Sequence, residues 1–191
     1  MFPDHAAASA GTLARAAATS LALALALAFM SSPAQAHGKA HAHGRATLDV
    51  SVEPRALSIQ LSTPLDNLLG FERAPRTDAE RSRADEAVAT LRAAGNLFTI
   101  DPAAGCRLVS VDLDSAALKL GAPDPEDAAS GHADLDARVA FRCTDATKAT
   151  FVDVGLFSFK RLQRLDVQVA APSGQFKRTL KPSAARLSLV R

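Results

Sequence analysis

The sequence predicts a β-rich α+β domain, in which an antiparallel sheet or sandwich carries one well-defined surface helix. About six or seven segments of the chain read as strands, because apolar and polar residues alternate in them or apolar residues cluster between turn signals. Only one segment places its apolar residues at clear helical spacing. Most of the connections are short, which favours antiparallel pairing of neighbouring strands.

The first 36 residues read as a cleaved export signal and not as part of the fold. Arg15 supplies a short positive region, residues 16–30 are almost entirely apolar, and Ala34 and Ala36 occupy the positions that a signal peptidase reads. The apolar run is about 15 residues, whereas about 20 are needed to span a bilayer. We therefore expect no stable membrane span after cleavage, a histidine-containing segment at residues 37–45, and a single β-rich domain at residues 46–191.

The first elements of that domain are a hairpin and a connection. Apolar and polar residues alternate over residues 46–52 and again over residues 57–62, and Pro54 marks the turn between the two runs. Residues 62–77 contain two prolines, a glycine and a tight group of apolar residues. We expect this segment to be an ordered connection that packs on the core and includes one short helical turn.

Thr77–Ala94 is the clearest helix in the sequence. Thr77 and Glu80 have the spacing of a capping box, in which each residue satisfies a free amide at the start of a helix. The apolar residues of this segment form a narrow stripe, which is typical of a surface helix. Gly95 is the expected C-cap.

The second half of the chain holds the remaining predicted strands. They are Cys106–Leu113, Asp134–Cys143, Leu165–Val169, Phe176–Leu180 and Arg186–Val190. Gly121–Gly131 is polar, acidic and rich in residues that break regular structure, so we expect a loop there. Residues 150–162 are apolar and are expected to form a short helix.

The chain has two cysteines, Cys106 and Cys143. An even pair in an exported protein usually forms a disulfide, and closing a loop of this length stabilises the fold by about 4 kcal/mol in the loop-entropy treatment. The alternative is a metal-binding or catalytic thiol pair. The absence of a CxxC motif and the long separation of the two residues argue against that alternative.

Charge and motifs exclude several classes of function. The chain has 22 basic and 20 acidic residues and no sustained basic stripe, so we expect no nucleic-acid partner. Glycine-rich phosphate loops, nucleophile elbows and the HExxH pattern do not occur in the sequence. The carboxylates are scattered, and no pair of them is fixed by spacing. We therefore expect that the protein is not an enzyme.

Three of the five histidines lie close together beside the expected cleavage site: His37, His41 and His43. Imidazole nitrogens are ligands for zinc and for copper. His41 and His43 point to the same side of an extended segment, and His37 adds an imidazole and, after cleavage, a terminal amine. Zn²⁺ is the expected metal, and Cu²⁺ bound through that amine is the alternative. A solvated histidine-containing terminus that binds metal only weakly is the other interpretation.

His132 is the only other histidine after the cleavage site, and it lies at the start of the cleanest strand. If that strand extends back to His132, then Asp134 and Asp136 share its polar face, and His132 and Asp136 become candidate metal ligands. Completing a site with the N-terminal histidines requires the first strand and the strand at residues 134–143 to be neighbours. The alternative is a solvated histidine beside a loop.

One long segment carries a family resemblance. HAHGRATLDVSVEPRALSIQLSTPLDNLLGFERAP, residues 41–75, joins a His-x-His-Gly opening and an alternating strand to a GFE-x-AP segment. With Cys106, the strand ending in Cys143, LFSFKRLQRLDVQV and SGQFKRTLKPSAARLSL, it resembles the ZrgA-type proteins, which are zinc-regulated periplasmic components of Gram-negative bacteria. The resemblance covers most of the chain after residue 36.

The resemblance implies zinc binding in the periplasm and assistance to zinc uptake. The implied partners are a metal ion and a zinc ABC importer or its binding protein. By position, His41 and His43 match the family's N-terminal histidine motif, and His132 matches the histidines before the middle strand. The alternative is a periplasmic module that binds no metal and docks on an envelope protein.

This chain departs from the family pattern at three places. The middle loop keeps its acidic residues but has one histidine instead of many. Asp136 stands where another histidine is expected, and Arg73 follows Gly-Phe-Glu where histidine is frequent. A single metal site, or one that is partly lost, is therefore a better expectation than a reservoir of many weak imidazole sites.

Overall fold

The computed structural model describes residues 43–122 and 133–190, and these residues form two β-sheets and three α-helices. The strands and helices run in the order β1 Arg45–Glu53, β2 Ala56–Pro64, α1 Leu65–Leu69, α2 Asp78–Arg92, α3 Ala94–Leu97, β3 Phe98–Ile100, β4 Arg107–Asp114, β5 Asp134–Arg142, β6 Phe151–Val154, β7 Arg164–Ala171, β8 Gly174–Leu180 and β9 Arg186–Ser188. Within these ranges, no helix is long and apolar enough to cross a membrane.

The larger sheet has six strands in the order β4-β5-β2-β1-β7-β8. Its pairs are antiparallel with one exception, because β1 and β7 run parallel and place Leu48 beside Val167. The smaller sheet, β3-β6-β9, is antiparallel throughout. The prediction of a β-rich α+β fold is confirmed, and the parallel pair is the one departure from the expected antiparallel pairing.

Alternation along the central strands separates a buried face from a polar face. Val50, Ile59 and Val139 lie opposite one another on β1, β2 and β5, and all three are buried. The next row along the same strands is polar and holds Asp49 and Gln60. The buried face packs with the smaller sheet and the helices in one hydrophobic cluster. A slip of one residue would turn every buried side chain outward, so this pattern fixes the register.

Helix α2 is the predicted surface helix. The Thr77 hydroxyl accepts a hydrogen bond from the Glu80 amide, and the Glu80 carboxylate accepts one from the Thr77 amide, so the predicted capping box is present. The expected end of the helix was wrong. The C-cap is Ala93, and Gly95 lies inside the short helix α3 that follows.

The expected helix over residues 150–162 was also wrong. The chain forms strand β6 there, followed by a 3₁₀ turn at Gly155–Ser158. Val152 and Val154 are buried, and β6 pairs with β3 and β9 on its two sides. Four residues are too few to show a clear period, so the strand owes its conformation to these two partners.

Cys106 and Cys143 form the predicted disulfide, with an S–S distance of 2.01 Å. It joins the residue before β4 to the residue after β5, two antiparallel neighbours at one side of the larger sheet. The amide of Cys143 also donates to the carbonyl of Arg55, in the turn between β1 and β2. The disulfide therefore joins β4 to β5 at the end of the sheet where β5 stops, and the hydrogen bond from Cys143 joins this end to the turn of the first hairpin.

We predict that replacing Cys106 and Cys143 by serine lowers the free energy of unfolding by about 4 kcal/mol, because the unfolded chain regains the freedom of a long loop. Equilibrium urea unfolding of the oxidised protein and of the double variant measures this difference. The oxidised protein treated with a reductant is the matched control and should lose a similar amount. Equal stability of all three samples would contradict the prediction.

Candidate metal site

The site begins with the five-residue helix α1, which follows β2 directly. Leu65 and Leu69 are fully or almost fully buried and anchor the helix to the core. Asp66 and Asn67 lie between these two leucines and are polar but also buried. A buried carboxylate or amide is costly unless it is hydrogen-bonded, so the surroundings of α1 must supply partners for both.

Asn67 finds its partners at the start of β1. Its side-chain oxygen accepts a hydrogen bond from the Gly44 amide at 2.7 Å. Its side-chain nitrogen donates to the Arg45 carbonyl at 2.7 Å and to the Thr63 hydroxyl at 3.0 Å. The residues that lead into β1 are therefore held at a fixed position against α1.

Gly44 is held from its other side as well. Its carbonyl accepts hydrogen bonds from the amides of Gln163 and Arg164, each at 2.9 Å. Its φ of 77° lies in the left-handed region, which glycine adopts without a steric penalty. The backbone is thus clamped between α1 and the start of β7, and this clamp orients the preceding residue, His43.

His43 faces two carboxylates. Its Nδ1 atom lies 3.1 Å from Oδ2 of Asp66 and 3.8 Å from Oε1 of Glu72. The side chain of His43 is 68% exposed, whereas that of Asp66 is only 9% exposed. One edge of the imidazole is therefore occupied by carboxylate, and much of the ring remains accessible to solvent.

Arg161 fixes the Asp66 carboxylate. Its Nη2 lies 2.9 Å from Oδ1 and 3.0 Å from Oδ2 of Asp66, and its Nε donates to the Asp66 carbonyl at 3.0 Å. Burial is the largest single influence on the pKa of Asp66 and raises it. The hydrogen bonds and charges of Arg161 and His43 together outweigh burial, so the pKa of Asp66 is held below its usual value.

This arrangement selects one tautomer of neutral His43. An ionised Asp66 can only accept a hydrogen bond, so Nδ1 of His43 must carry the proton that lies between them. The lone pair of the neutral ring is then on Nε2. Metal-binding histidines in proteins are commonly oriented in this way, with one ring nitrogen donating to a carboxylate and the other bound to the metal.

The described residues contain only part of the site expected from the sequence. His37, His41 and His132 lie outside the described residues. His43 lies beside Asp66 and Glu72, and Asp136 lies elsewhere, on the polar face of β5 opposite Ser62 and Asp114. Over residues 43–122 and 133–190, no group of three histidine, cysteine, aspartate or glutamate residues is placed to hold a metal ion.

The strands that were required to be neighbours are not adjacent. Strand β2 lies between β1 and β5, which separates their axes by about 10 Å at ordinary strand spacing. Both strands nevertheless begin at the same end of the sheet, because each is antiparallel to β2. The Ala133 carbonyl, just before β5, accepts a hydrogen bond from the amide of Leu65 in α1 at 2.8 Å.

Sequence reasoning missed Asp66, Glu72 and Arg161. Asp66 gave a weak signal, since it stands in an otherwise apolar stretch that was expected to pack on the core. Arg161 gave none, because it is 95 residues away from Asp66 and lies in a run of basic residues typical of a solvated surface.

A model of the family described as ZrgA family zinc uptake protein matches residues 40–189. The chain belongs to the ZrgA family. No curated protein matches the sequence. The family match covers every described strand and helix, so the fold above is that of a ZrgA-family zinc uptake protein.

Arg73 has a structural role in this family member. Its guanidinium forms two hydrogen bonds with the Glu80 carboxylate, at 2.7 and 2.8 Å, and lies 4.9 Å from the centre of the Phe71 ring. The hydrogen bond from Arg73, with the amide of Arg76 as the next contribution, lowers the pKa of Glu80 to about 2. Arg73 thus ties the loop after α1 to the start of α2.

We predict that Asp66→Asn lowers stability by about 2 kcal/mol near neutral pH, because Arg161 and His43 lose a charged acceptor. A carboxyl with a depressed pKa stabilises the fold above its unfolded-state pKa, which is about 3.9. That contribution is lost as the pH falls through the folded-state value. The difference between the two proteins should therefore be constant above about pH 5 and shrink below about pH 4.

Urea unfolding at a series of pH values measures this difference. Asp153→Asn is a matched control, since Asp153 also pairs with an arginine, Arg186, but on the exposed surface. It should cost less, because exposed ion pairs contribute little. A difference between wild type and Asp66→Asn that does not change with pH would show that the charge of Asp66 does not contribute.

Proposed function

We propose that this ZrgA-family protein binds zinc in the periplasm and assists zinc uptake, with His43 as a ligand. The observation that carries the proposal is the hydrogen bond from Nδ1 of His43 to the Asp66 carboxylate, which Arg161 holds in place. It leaves Nε2 of an exposed imidazole as the free donor atom. Zinc takes imidazole nitrogen readily, at about 2.0–2.1 Å.

In this proposal, all the remaining ligands except Asp136 come from chain outside the described residues. His41 precedes His43 by two residues, and His37 is four residues further back. His132 is bonded directly to Ala133, whose carbonyl contacts α1 beside Asp66. Asp136 is the third residue of β5, which begins at the same end of the sheet as β1 but is separated from it by β2. Zinc usually takes four ligands in structural sites, so these residues are sufficient in number and chemistry.

Glu72 supports a cation at this position. Its carboxylate lies 3.8 Å from His43 Nδ1 and is partly exposed. A carboxylate beside the imidazole favours positive charge nearby. Arg161 opposes this effect only weakly, because its positive charge is already paired with Asp66.

The disulfide fits an oxidising compartment such as the periplasm. Within the same proposal, the protein holds zinc as cargo and performs no reaction on it. It passes the ion to a zinc importer or to the importer's binding protein. Bound copper would be the alternative cargo if the terminal amine of His37 is a ligand.

Calorimetric titration of the processed protein with zinc tests the proposal. We expect saturable binding with a Kd below about 10 micromolar. His43→Ala should weaken binding at least as much as Asp66→Asn, which should weaken it by about 10- to 100-fold because the imidazole loses its orienting acceptor. Asp153→Asn is the control and should leave zinc affinity unchanged.

Two outcomes would overturn the proposal. One is the absence of saturable zinc binding, which would leave the docking module without metal as the better interpretation. The other is binding that is unaffected by both His43→Ala and Asp66→Asn, since the metal would then lie elsewhere. Urea unfolding of each variant shows whether a loss of binding is a loss of folding.

A further inference from the structure

The end of the larger sheet opposite His43 carries three arginines around the disulfide. Arg107 follows Cys106, Arg142 precedes Cys143, and the Arg55 carbonyl accepts the Cys143 amide at 2.9 Å. All three arginines are exposed. We call Arg55, Arg107 and Arg142 the arginine cluster.

Two of these arginines lie directly opposite each other. The pairing of β4 with β5 sets Arg107 against Arg142, which places their Cβ atoms about 5 Å apart. Like charges at such positions destabilise a sheet. The disulfide fixes the adjoining residues of both strands, so the two arginines cannot move apart by fraying of the strand ends.

Within residues 43–122 and 133–190, no carboxylate pairs with the cluster. Three other arginines of the two sheets do have carboxylate partners: Arg138 pairs with Asp114, Arg164 with Asp166 and Arg186 with Asp153. Glu53 is in register with Ala56, which is in turn opposite Arg142, and Glu53 forms no ion pair with Arg142. The cluster is therefore a concentration of uncompensated positive charge in a chain whose net charge is only +2.

An exposed apolar side chain adjoins the cluster. The register of β4 against β5 shifts between Leu108 and Ser110, which is a β-bulge at Val109. Val109 is 54% exposed, and it is one of only two large apolar side chains that are exposed in the described part of the chain. Bulges redirect side chains and are frequent beside functional sites.

We propose that the arginine cluster and Val109 form a docking site for an acidic segment of a partner protein. Carboxylates of the partner pair with Arg107 and Arg142, and an apolar residue of the partner covers Val109. Arginine suits this role because its planar guanidinium binds a carboxylate through two hydrogen bonds. The site is independent of the proposed zinc site and shares no residue with it.

A second copy of the chain fits the site less well. Pairing of two β4 edges would leave Arg55 and Arg142 without carboxylates. The bulge at Val109 also interrupts the regular edge that strand-to-strand association needs. An acidic segment needs no regular edge, because its contacts are with side chains.

The test uses the processed protein and a synthetic peptide of about ten alternating glutamate and valine residues, a length that matches one strand. Amide chemical shifts of the isotope-labelled protein report where the peptide binds. We expect shift changes in β4 and around Cys143. Removing two charges with Arg107→Gln and Arg142→Gln should weaken binding by about tenfold, and Val109→Ser should weaken it severalfold.

The matched control removes two charges from the other edge strand, through Lys177→Gln and Arg178→Gln in β8. It has the same net charge as the cluster variant, and its affinity for the peptide should change by less than about twofold. Zinc affinity should be the same in both double variants, which separates this test from that of the zinc site, and the urea midpoint of the cluster variant should be no lower than that of the control.

Three outcomes would overturn the proposal. Equal losses in the two double variants would show attraction by net charge alone. Shift changes confined to β8 would place the acidic site on the opposite edge. A protein dimer in sedimentation that the cluster variant abolishes would show that a second copy occupies the site.

Discussion

The start of the central strand depends on two buried polar side chains of one short helix. Asn67 forms hydrogen bonds with the backbone of Gly44 and Arg45. Asp66 accepts hydrogen bonds from the side chains of His43 and Arg161. Each group would cost several kcal/mol if it were buried without partners. Because the core anchors helix α1, its polar side chains also hold the chain before β1 in place. The orientation of His43 therefore depends on how α1 packs on the core.

The parallel pairing of β1 and β7 is what brings the charges of the site together. Parallel strands begin at the same end of a sheet, so the chain that leads into β7 lies beside the chain that leads into β1. Arg161 is in the first of these segments and His43 in the second. With an antiparallel pair, Arg161 would lie at the opposite end of β1, and Asp66 would be a buried carboxylate without a cation.

Local sequence patterns predicted where the strands and helices lie better than they predicted which strands pair with one another. Alternation identified β1, β2 and β5, and the capping box identified the start of α2, because each signal lies within a few residues. The parallel β1–β7 pair and the Asp66–Arg161 contact join segments that are far apart in the chain. The spacing of apolar residues shows which face of a strand is buried, but it does not show which other strand pairs with it. The surroundings of His43 depend on which strands are neighbours, so His43 was a predicted site residue, whereas Asp66, Glu72 and Arg161 beside it were missed.

The two ends of the larger sheet are held by different means and offer different chemistry. A polar network fixes the end where β1 starts, and the disulfide fixes the end where β5 stops. The nine residues of β1 separate them by about 30 Å. A partner bound at the arginine cluster through a short segment therefore does not touch His43. Under the two proposals together, direct transfer of zinc to the docked partner requires a partner that extends along the whole sheet. A shorter partner would only hold the zinc-bound protein near the importer.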